Sequence, residues 1–462
     1  MAGLAQLSRP GAASNPRAGD TTSSVTILAA PTADFFDTTG TLRPGTTDIL
    51  DPAAVARAEV VQVDKGSTFT YATNVLQMGD PFSAVVPDPR GALVDKLMPG
   101  WSVRFYMANA LVNGGAPTLK LSGIVVDRQV TVDAAGGTQI RISGADLGWH
   151  LMNNDAPLWF NLRGVSGAAP TLEHLAEACV FPQDYFKRDT DPGWGFERPI
   201  RVDNAQNRSI KRGLRFTAAE TLHLQLSGVA SPVQVQPGQK ISDLLSMWAR
   251  RAGLLVGVSA DRHLQFFLPD YAQAPEYEIH LYGYDDKRRS QNNVQNASRD
   301  DTLETQYTHV TVVGEDPVRA VVADGAITMF APQFSRIYGR ALPGDWPAIP
   351  SASAGALAVP RLPFRRRATL CDGEIVHHPS RRARWFQNRG LFDAQTLTFQ
   401  VRGHHQNGLW WEADTMCAVR APAIGVEGDY YMAAVECTRD MQRGDTTRLT
   451  LKRPNLLTEI PV

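Results

Sequence analysis

A strand-type alternation of apolar and polar residues runs through the first and the last third of the chain, with the same order of elements each time. In the first third it includes residues 121–132 and 140–143, separated by a Gly-Gly turn. In the last third it includes residues 397–401, 430–435 and 449–451. Successive side chains of a strand point to opposite faces, so this period of two predicts strands with one buried face. The repetition predicts two related antiparallel β-barrels.

The middle of the chain has helical periodicity as well. Apolar residues at spacings of three and four predict a helix over residues 172–179. A longer stripe that includes Leu244 and Trp248 predicts a second helix, which begins near residue 241 and ends at Gly253. The segment 285–301 is almost wholly polar and is interpreted as a linker or an exposed loop.

These patterns divide the chain of 462 residues into four segments. The predicted fold class is β-rich α+β, with two related antiparallel β-barrel domains flanking mixed α/β domains in a hub-like, multi-domain architecture. An N-terminal extended arm rich in small residues is either a mobile tail or an arm that lies on a partner. The predicted segments are the arm at 1–55, the first barrel at 56–153, the middle α+β region at 154–300, and the second barrel at 301–462 with an insertion near 341–363.

The charge balance excludes several classes of function. The chain carries 46 basic and 47 acidic residues, a formal net charge of −1. General coating of nucleic acid and electrostatic adsorption to membranes both need a basic excess, so neither is expected. No apolar run has the ~18 residues of a membrane span, and the first 20 residues lack the apolar stretch of a secretory signal. We therefore expect synthesis in the cytoplasm and no stable membrane association.

Residues that carry chemistry are present, but no recognisable catalytic motif is. The doublets at 377–378 and 404–405 offer four imidazoles, but adjacent residues of a strand face opposite ways. One histidine from each doublet gives two ligands, whereas a zinc site needs three or four. The alternative for these histidines is an exposed loop or edge strand. The arginines of residues 361–402 either bind phosphate or form a solvated or subunit-facing surface. The acidic pairs at 285–286 and 300–301 lack the apolar surroundings that raise a carboxylate pKa for acid catalysis. No catalytic residue, metal ligand or cofactor is therefore predicted.

Four tryptophans stand beside glycine or in strand contexts. They could form aromatic platforms for a sugar, but packing in a barrel core or at an interface is the favoured interpretation. They are Trp101, Trp149, Trp410 and Trp411.

Short motifs spread from about residue 58 to 455 resemble, in their order and spacing, the phage baseplate hub family, which includes the hub of phage Mu and the late control proteins of contractile tails. One is a Pro-Gly-x-x-Val strand start, and another is the strand Gly123-Ile124-Val125, which resembles the family's Gly-x-Ile strand and is followed by Ile-x-Gly-x-Asp at 142–146. The chain departs from the family at Ala413-Asp414, where a Pro-Gly pair is expected before a late strand. The positions that carry the resemblance are Pro99, Gly100, Trp101, Gly123, Asp127, Gly144, Asp146, Leu244, Trp248, Gly253, Ala383, Trp385, Trp410, Asp440 and Gly444.

The resemblance implies a structural role without covalent chemistry. It implies a homotrimer whose two barrels per chain form a ring of pseudo-sixfold symmetry, which joins a sixfold tail tube to a trimeric spike and lines the channel for DNA. The implied partners are further copies of the chain, the trimeric spike protein, tail tube proteins, baseplate wedge proteins and genomic DNA in transit. The implied location is the baseplate of the virion tail. Two alternatives stay open: a tail-associated enzyme that degrades cell-wall glycan, and the hub of a phage-related secretion or injection apparatus.

Overall fold

The computed structural model of the chain describes residues 23–30, 59–63, 67–88, 90–133, 137–156, 172–181, 194–202, 235–251, 254–267, 269, 271, 273–305, 309–314, 334–338, 366–371, 388–440 and 444–457. Of the predicted features, the insertion near 341–363, the histidines at 377–378 and the positions Gly253, Ala383 and Trp385 lie outside these residues.

A single thirteen-stranded sheet contains most of the strands and unites the first and the last third of the chain. Its central path runs β12-β16-β21-β20-β3-β4-β7-β6-β5-β1-β2, and β19 and β11 continue from β20 on a side branch. The strands are β1 Ser24–Ala30, β2 Glu59–Val63, β3 Thr68–Asn74, β4 Pro81–Pro87, β5 Ser102–Ala108, β6 Thr118–Asp133, β7 Gly137–Asp146, β11 Tyr277–His280, β12 Val294–Asp301, β16 Gln395–Arg402, β19 Thr415–Ala421, β20 Val426–Asp440 and β21 Gly444–Lys452.

The middle of the chain forms a smaller α/β unit. Helices α1 Gly148–Asn153, α2 Leu172–Val180 and α3 Ile241–Arg251 pack on a three-stranded sheet in the order β8-β10-β9. Its core includes Leu244 and Trp248, so the stripe predicted for α3 is buried as expected. The strands are β8 Glu197–Val202, β9 Leu255–Val258 and β10 His263–Phe267.

Two further groups of strands are small. A sheet in the order β14-β13-β15 and a two-stranded ladder of β17 and β18 complete the described strands. Their bounds are β13 His309–Gly314, β14 Phe334–Tyr338, β15 Arg366–Cys371, β17 His405–Gln406 and β18 Leu409–Trp410. The strand-rich fold with a large antiparallel sheet and α/β parts confirms the predicted fold class.

The internal repeat is visible in the strand order. The series β3-β4-β7-β6-β5-β1 in one half has the same arrangement as β12-β16-β21-β20-β19-β11 in the other. One difference is that β1 pairs antiparallel with β5, whereas β11 pairs parallel with β19. Each series therefore has the same central meander, in which a long middle strand lies between two shorter ones.

The second parts of the two long strands correspond residue by residue. β6 has 16 residues and β20 has 15, and each turns into the next strand through a closing Asp–Gly pair. The pairs are Asp133 with Gly137 and Asp440 with Gly444, and both glycines adopt the left-handed backbone that such turns favour. Each long strand shifts register six residues before its Asp, at Asp127 and at Ala434. Each residue in the second part of β6 therefore corresponds to the residue of β20 whose number is 307 higher.

The two halves share one hydrophobic core, because β3 of the first half pairs directly with β20 of the second. Phe69 and Phe105 lie in this core with Phe399 and Leu449. Within the predicted arm of residues 1–55, residues 24–30 form β1, which pairs with β2 and β5 of its own chain rather than with a partner.

The prediction of a linker or exposed loop for the polar segment 285–301 was wrong for residues 294–301, which form a strand, whereas residues 285–293 form a largely exposed turn region. A 3₁₀ turn at Lys287–Gln291 leads into β12, which pairs with β16 throughout. The strand lies at the end of the sheet with its side chains largely in solvent, so main-chain pairing rather than apolar alternation holds it.

Candidate assembly surface

The outer face of the large sheet is polar from β6 to β12, across the boundary between the two halves. Five hydroxyl residues stand opposite one another on five neighbouring strands, namely Thr446, Thr438, Thr70, Ser83 and Ser143. The neighbouring positions of the same row are Arg402 on β16 and Asp127 on β6. We call this series the hydroxyl row. It arises because each of these strands turns its apolar residues to the shared core and its alternate residues outward.

A shallow groove of about 410 Å³ lies on the second half of this face. Its charged residues are Glu436, Asp440 and Arg448, and neutral hydroxyl and amide side chains provide most of the rest. Such a surface offers many weak hydrogen bonds and no strong field of one sign, so it can contact a polyanion without holding it tightly. The lining residues are Asn296, Ala297, Ser298, Thr398, Gln400, Glu436, Thr438, Asp440, Thr446 and Arg448.

The resemblance positions Gly123 and Gly144 mark the closest backbone contact between β6 and β7. A Cβ atom on Gly123 would lie 1.9 Å from the carbonyl oxygen of Ala145, and one on Gly144 would lie 2.0 Å from that of Ile124. No side chain fits at either position, so glycine is required there for steric reasons. The two glycines allow the tight crossing on which the first half of the repeat is built.

Asp146 connects this crossing to the α/β unit. Its carboxylate accepts a hydrogen bond of 2.8 Å from the backbone N–H of Gly148, at the start of α1. Its own N–H donates to the carbonyl of Asp80. Burial raises the pKa of Asp146 to about 7, although backbone hydrogen bonds from Gly148 and Asp80 oppose the shift. The group therefore changes charge near neutral pH.

Asp146→Asn is expected to remove a pH dependence of stability. The pKa of Asp146 rises from 3.8 in the unfolded chain to about 7 in the folded one. The stabilisation by the protonated form is therefore complete below pH 3.8 and is lost as the pH rises through 7. Urea unfolding at pH 5 and pH 8 should show a larger gain in unfolding free energy for the variant at pH 8. An equal effect at both values would contradict the assignment.

The other resemblance positions have structural places of several kinds. Gly100 adopts a left-handed backbone, and its N–H donates to the carbonyl of Val125, which holds the Pro99-Gly100-Trp101 segment against β6. Trp101 packs against the shared core. Asp127 is exposed and Asp440 is half-buried. Leu244 and Trp248 belong to the α/β unit and do not come near the hydroxyl row by any contact in the described residues.

Trp410 and Trp411 are buried in the core, as the packing interpretation predicted. The indole N–H of Trp410 donates to the hydroxyl of Thr118 at 3.1 Å, and the backbone carbonyl of Trp410 accepts a hydrogen bond from the hydroxyl of Tyr277. The ring of Trp411 lies 4.6 Å from that of Tyr277. These rings therefore present no flat exposed platform on which a sugar could stack.

The histidine prediction was wrong for His404, which lies on no exposed loop or edge strand. Its side chain is wholly buried, its Nδ1 lies 3.0 Å from the hydroxyl of Thr447, and its ring packs near Phe69. Burial lowers the pKa of His404 to about 4, so the ring is neutral at pH 7. In the described part of the chain, no three His, Cys, Asp or Glu side chains are grouped to hold a metal ion.

The acidic pairs are not arranged for acid catalysis. Asp286 is half-buried, caps the 3₁₀ turn and accepts hydrogen bonds from Arg288. The hydrogen bonds from Arg288 hold its pKa below the usual value. Asp301 accepts from Arg299 at 2.6 Å on the exposed end of β12. Asp286, whose carboxylate Arg288 holds ionised, is therefore a poor proton donor.

A cavity of about 310 Å³ separates the large sheet from the α/β unit. Lys120 pairs with Glu412 at 2.8 Å and Arg201 with Asp261 at 2.6 Å, both within its wall. The hydroxyl of Ser122 donates to the carbonyl of Ala260 across the same boundary at 2.7 Å. Of these contacts, the hydrogen bond between Ser122 and Ala260 joins the two units, whereas each ion pair lies within one unit. Sequence reasoning did not detect them, because the partners are distant in the chain.

Asp414, where the resemblance predicts glycine, adopts the left-handed backbone at φ 61°. Its carboxylate accepts the hydroxyl of Tyr431 at 2.7 Å, and its N–H donates to the carbonyl of Met432. Aspartate tolerates this conformation better than most residues because its short polar side chain bonds locally. The departure from the family pattern therefore leaves the turn intact. Sequence reasoning alone did not assign this role to Asp414.

Comparison with solved structures finds the same fold in two tail proteins, one of them from a prophage. The tail protein from Neisseria meningitidis MC58 superposes with a TM-score of 0.59 at 14% identity, covering 94% of this chain and 98% of that chain. The 43 kDa tail protein of prophage MuSo2 from Shewanella oneidensis gives a TM-score of 0.59 at 13% identity, covering 94% and 99%. Comparisons of the sequence with family models and with curated proteins found no match.

The matches extend over almost the full length of both tail proteins, so the shared fold includes both halves of the repeat and the α/β unit between them. Within the described residues, no helix is both long enough and apolar enough to cross a membrane. The structure thus confirms the predicted resemblance at the level of the fold: this chain has the fold of these two tail proteins, with two related series of strands in one large sheet.

Proposed function

We propose that the chain is the structural baseplate hub of a contractile phage tail. In this role three copies form a ring that joins the sixfold tail tube to the trimeric spike and contacts the baseplate wedge proteins. The observation that carries the proposal is the repeat, in which β3-β4-β7-β6-β5 and β12-β16-β21-β20-β19 have the same order and the same long middle strand. Two equivalent units per chain in three chains provide six similar docking positions.

The hydroxyl row supports a place for this face along the DNA channel. A wall that DNA must pass needs polar groups that water and phosphate can both bind, without a basic excess that would retain the polyanion. The row and the groove beside it have this character. The proposed role needs no covalent chemistry and no cofactor, and places the protein in the virion baseplate after synthesis in the host cytoplasm.

Reconstitution with the neighbouring tail proteins tests the proposal. The purified chain, mixed with its phage's spike and tube proteins, is expected to form particles with three copies of the chain, visible as a threefold ring with a needle in electron micrographs. Mass photometry gives the stoichiometry independently. A chain that stays monomeric with both partners would overturn the proposal, and release of fragments from purified peptidoglycan would favour the glycan-degrading alternative.

A further inference from the structure

Two strand edges of the repeated unit have no strand partner among the described residues. Beyond Asp127, β6 pairs with β7 alone, and β12 pairs with β16 alone. Apolar side chains are exposed along the β6 edge, with 37% of Val130 and 74% of Val132 accessible to solvent, and Leu303, two residues beyond the end of β12, is 44% accessible. Exposed edges with apolar side chains are sites at which another strand can add.

The corresponding edges elsewhere in the same chain are already paired with each other. β3, which corresponds to β12, pairs antiparallel with the second part of β20, which corresponds to the second part of β6. In this junction Phe69 stands opposite Arg439, Thr70 opposite Thr438 and Ala72 opposite Glu436. The junction between the two halves of one chain is thus a contact between two different edges of the repeated unit. The equivalent edges, on β12 and on the second part of β6, have no strand partner among the described residues.

We propose that β12 of one copy pairs antiparallel with the second part of β6 of the next copy, in the register that β3 and β20 have within the chain. This inference rests on the proposed trimer and specifies its contact. The shift of 307 residues and the pairing through β4, β7, β16 and β21 fix the register. The predicted opposite residues are Val132 with Ala297, Thr131 with Ser298, Val130 with Arg299, Gln129 with Asp300, and Arg128 with Asp301.

The side chains at this register are compatible with one another. Val132 gains an apolar neighbour in Ala297, and Thr131 meets Ser298, as two threonines meet at the corresponding place within the chain. At the end of the ladder a basic residue, Arg128, stands opposite the acidic Asp301. Because the contact joins unlike edges, repeating it generates a closed ring when the rotation between copies allows closure.

A register-specific disulfide tests the pairing directly. Residues directly opposite in an antiparallel ladder have Cα atoms about 4.5–5.5 Å apart, within the range of a disulfide. The variant T131C/S298C is therefore expected to give a covalent trimer on oxidation, seen on a non-reducing gel. The matched control T131C/N296C displaces one cysteine by two residues, to about 7–8 Å or more, and should stay uncrosslinked. Cys179, Cys417 and Cys437 are buried, and Cys371 is replaced by serine in both variants so that it cannot compete.

Each outcome decides between the two proposals. A trimer that forms without the T131C/S298C crosslink would overturn this pairing while the proposed hub stands. A crosslink within a single chain would also overturn it, because the occupant of the edge would then be the same copy. A monomer in the presence of spike and tube proteins would overturn the hub and the pairing together.

Lysines on the exposed edge provide a second readout. V130K/V132K places two charges where the ladder would bury apolar side chains, a device by which natural edge strands avoid pairing. The trimer should dissociate at least tenfold more readily, while the far-ultraviolet circular dichroism of the chain stays unchanged. The control L111K/L409K changes two similarly exposed residues away from both edges and should leave the trimer intact. Equal weakening by both variants would overturn the inference.

Discussion

Gly144→Ala is expected to prevent stable folding of the first half of the repeat. The added Cβ would lie 2.0 Å from the carbonyl oxygen of Ile124 and 2.6 Å from the ring of Phe82. The carbonyl belongs to β6, which pairs with β7 at this point, so relief of the overlap requires separation of the two strands. We expect a loss of about 3 kcal/mol or more in the free energy of unfolding, at the upper end of the effect of overpacking.

The measurement is urea unfolding followed by circular dichroism, with solubility as a first indication. Gly283→Ala is the matched control, because a Cβ at Gly283 meets nothing within 4 Å and the residue does not have a left-handed backbone. The control should unfold within about 0.5 kcal/mol of the unsubstituted chain, as surface changes usually do. Similar stability of the two variants would contradict the steric role assigned to Gly144.

Arg439→Met is expected to destabilise the junction between the two halves by about 3–5 kcal/mol, because it leaves a buried carboxylate without its cation. The guanidinium of Arg439 donates to both oxygens of Asp445, at 2.7 and 3.1 Å, and to the carbonyl of Ser23. It also lies over the ring of Phe69 at 5.3 Å. Asp445 in turn accepts from the N–H of Ser23, so the ion pair fixes the start of β1 as well.

A second variant separates lost packing from the buried charge. Arg439→Met combined with Asp445→Leu removes both charges, and chemical unfolding should recover part of the stability lost in the single variant. Arg288→Met, at an exposed ion pair with Asp286, should change the unfolding free energy little. If the double variant lost as much unfolding free energy as the Arg439→Met and Asp445→Leu single variants lose in sum, the two side chains would not stabilise each other.

The correct sequence predictions share one property: the residues concerned obey a local periodicity. The alternation at 397–401 became β16, and the stripe with Leu244 and Trp248 became α3, because burial of one face selects for apolar residues at the matching period. Hairpin glycines were likewise predictable, since a left-handed backbone restricts the residue type, as at Gly137.

The predictions that failed concern features without a local signature. β12 has no apolar alternation, since an end strand with solvated side chains requires only main-chain partners. His404 is polar by residue type but is buried beside Thr447, and only the surrounding strands decide this. The ion pair of Arg439 with Asp445 joins two strands of a hairpin, yet its burial depends on β1 and β3, which come more than 350 residues earlier.

Local patterns of residues were sufficient to predict the strand-rich fold class, the helices of the middle unit and the presence of a repeat, because hydrophobic periodicity and turn residues are local properties of the chain. The pairing of β3 with β20, which joins the halves around one core, is visible only in the folded chain. The same holds for the continuous row that the polar residues of both halves form. Strand pairing across distant segments is set by hydrogen bonds that any main chain can make, so the residue types do not specify it.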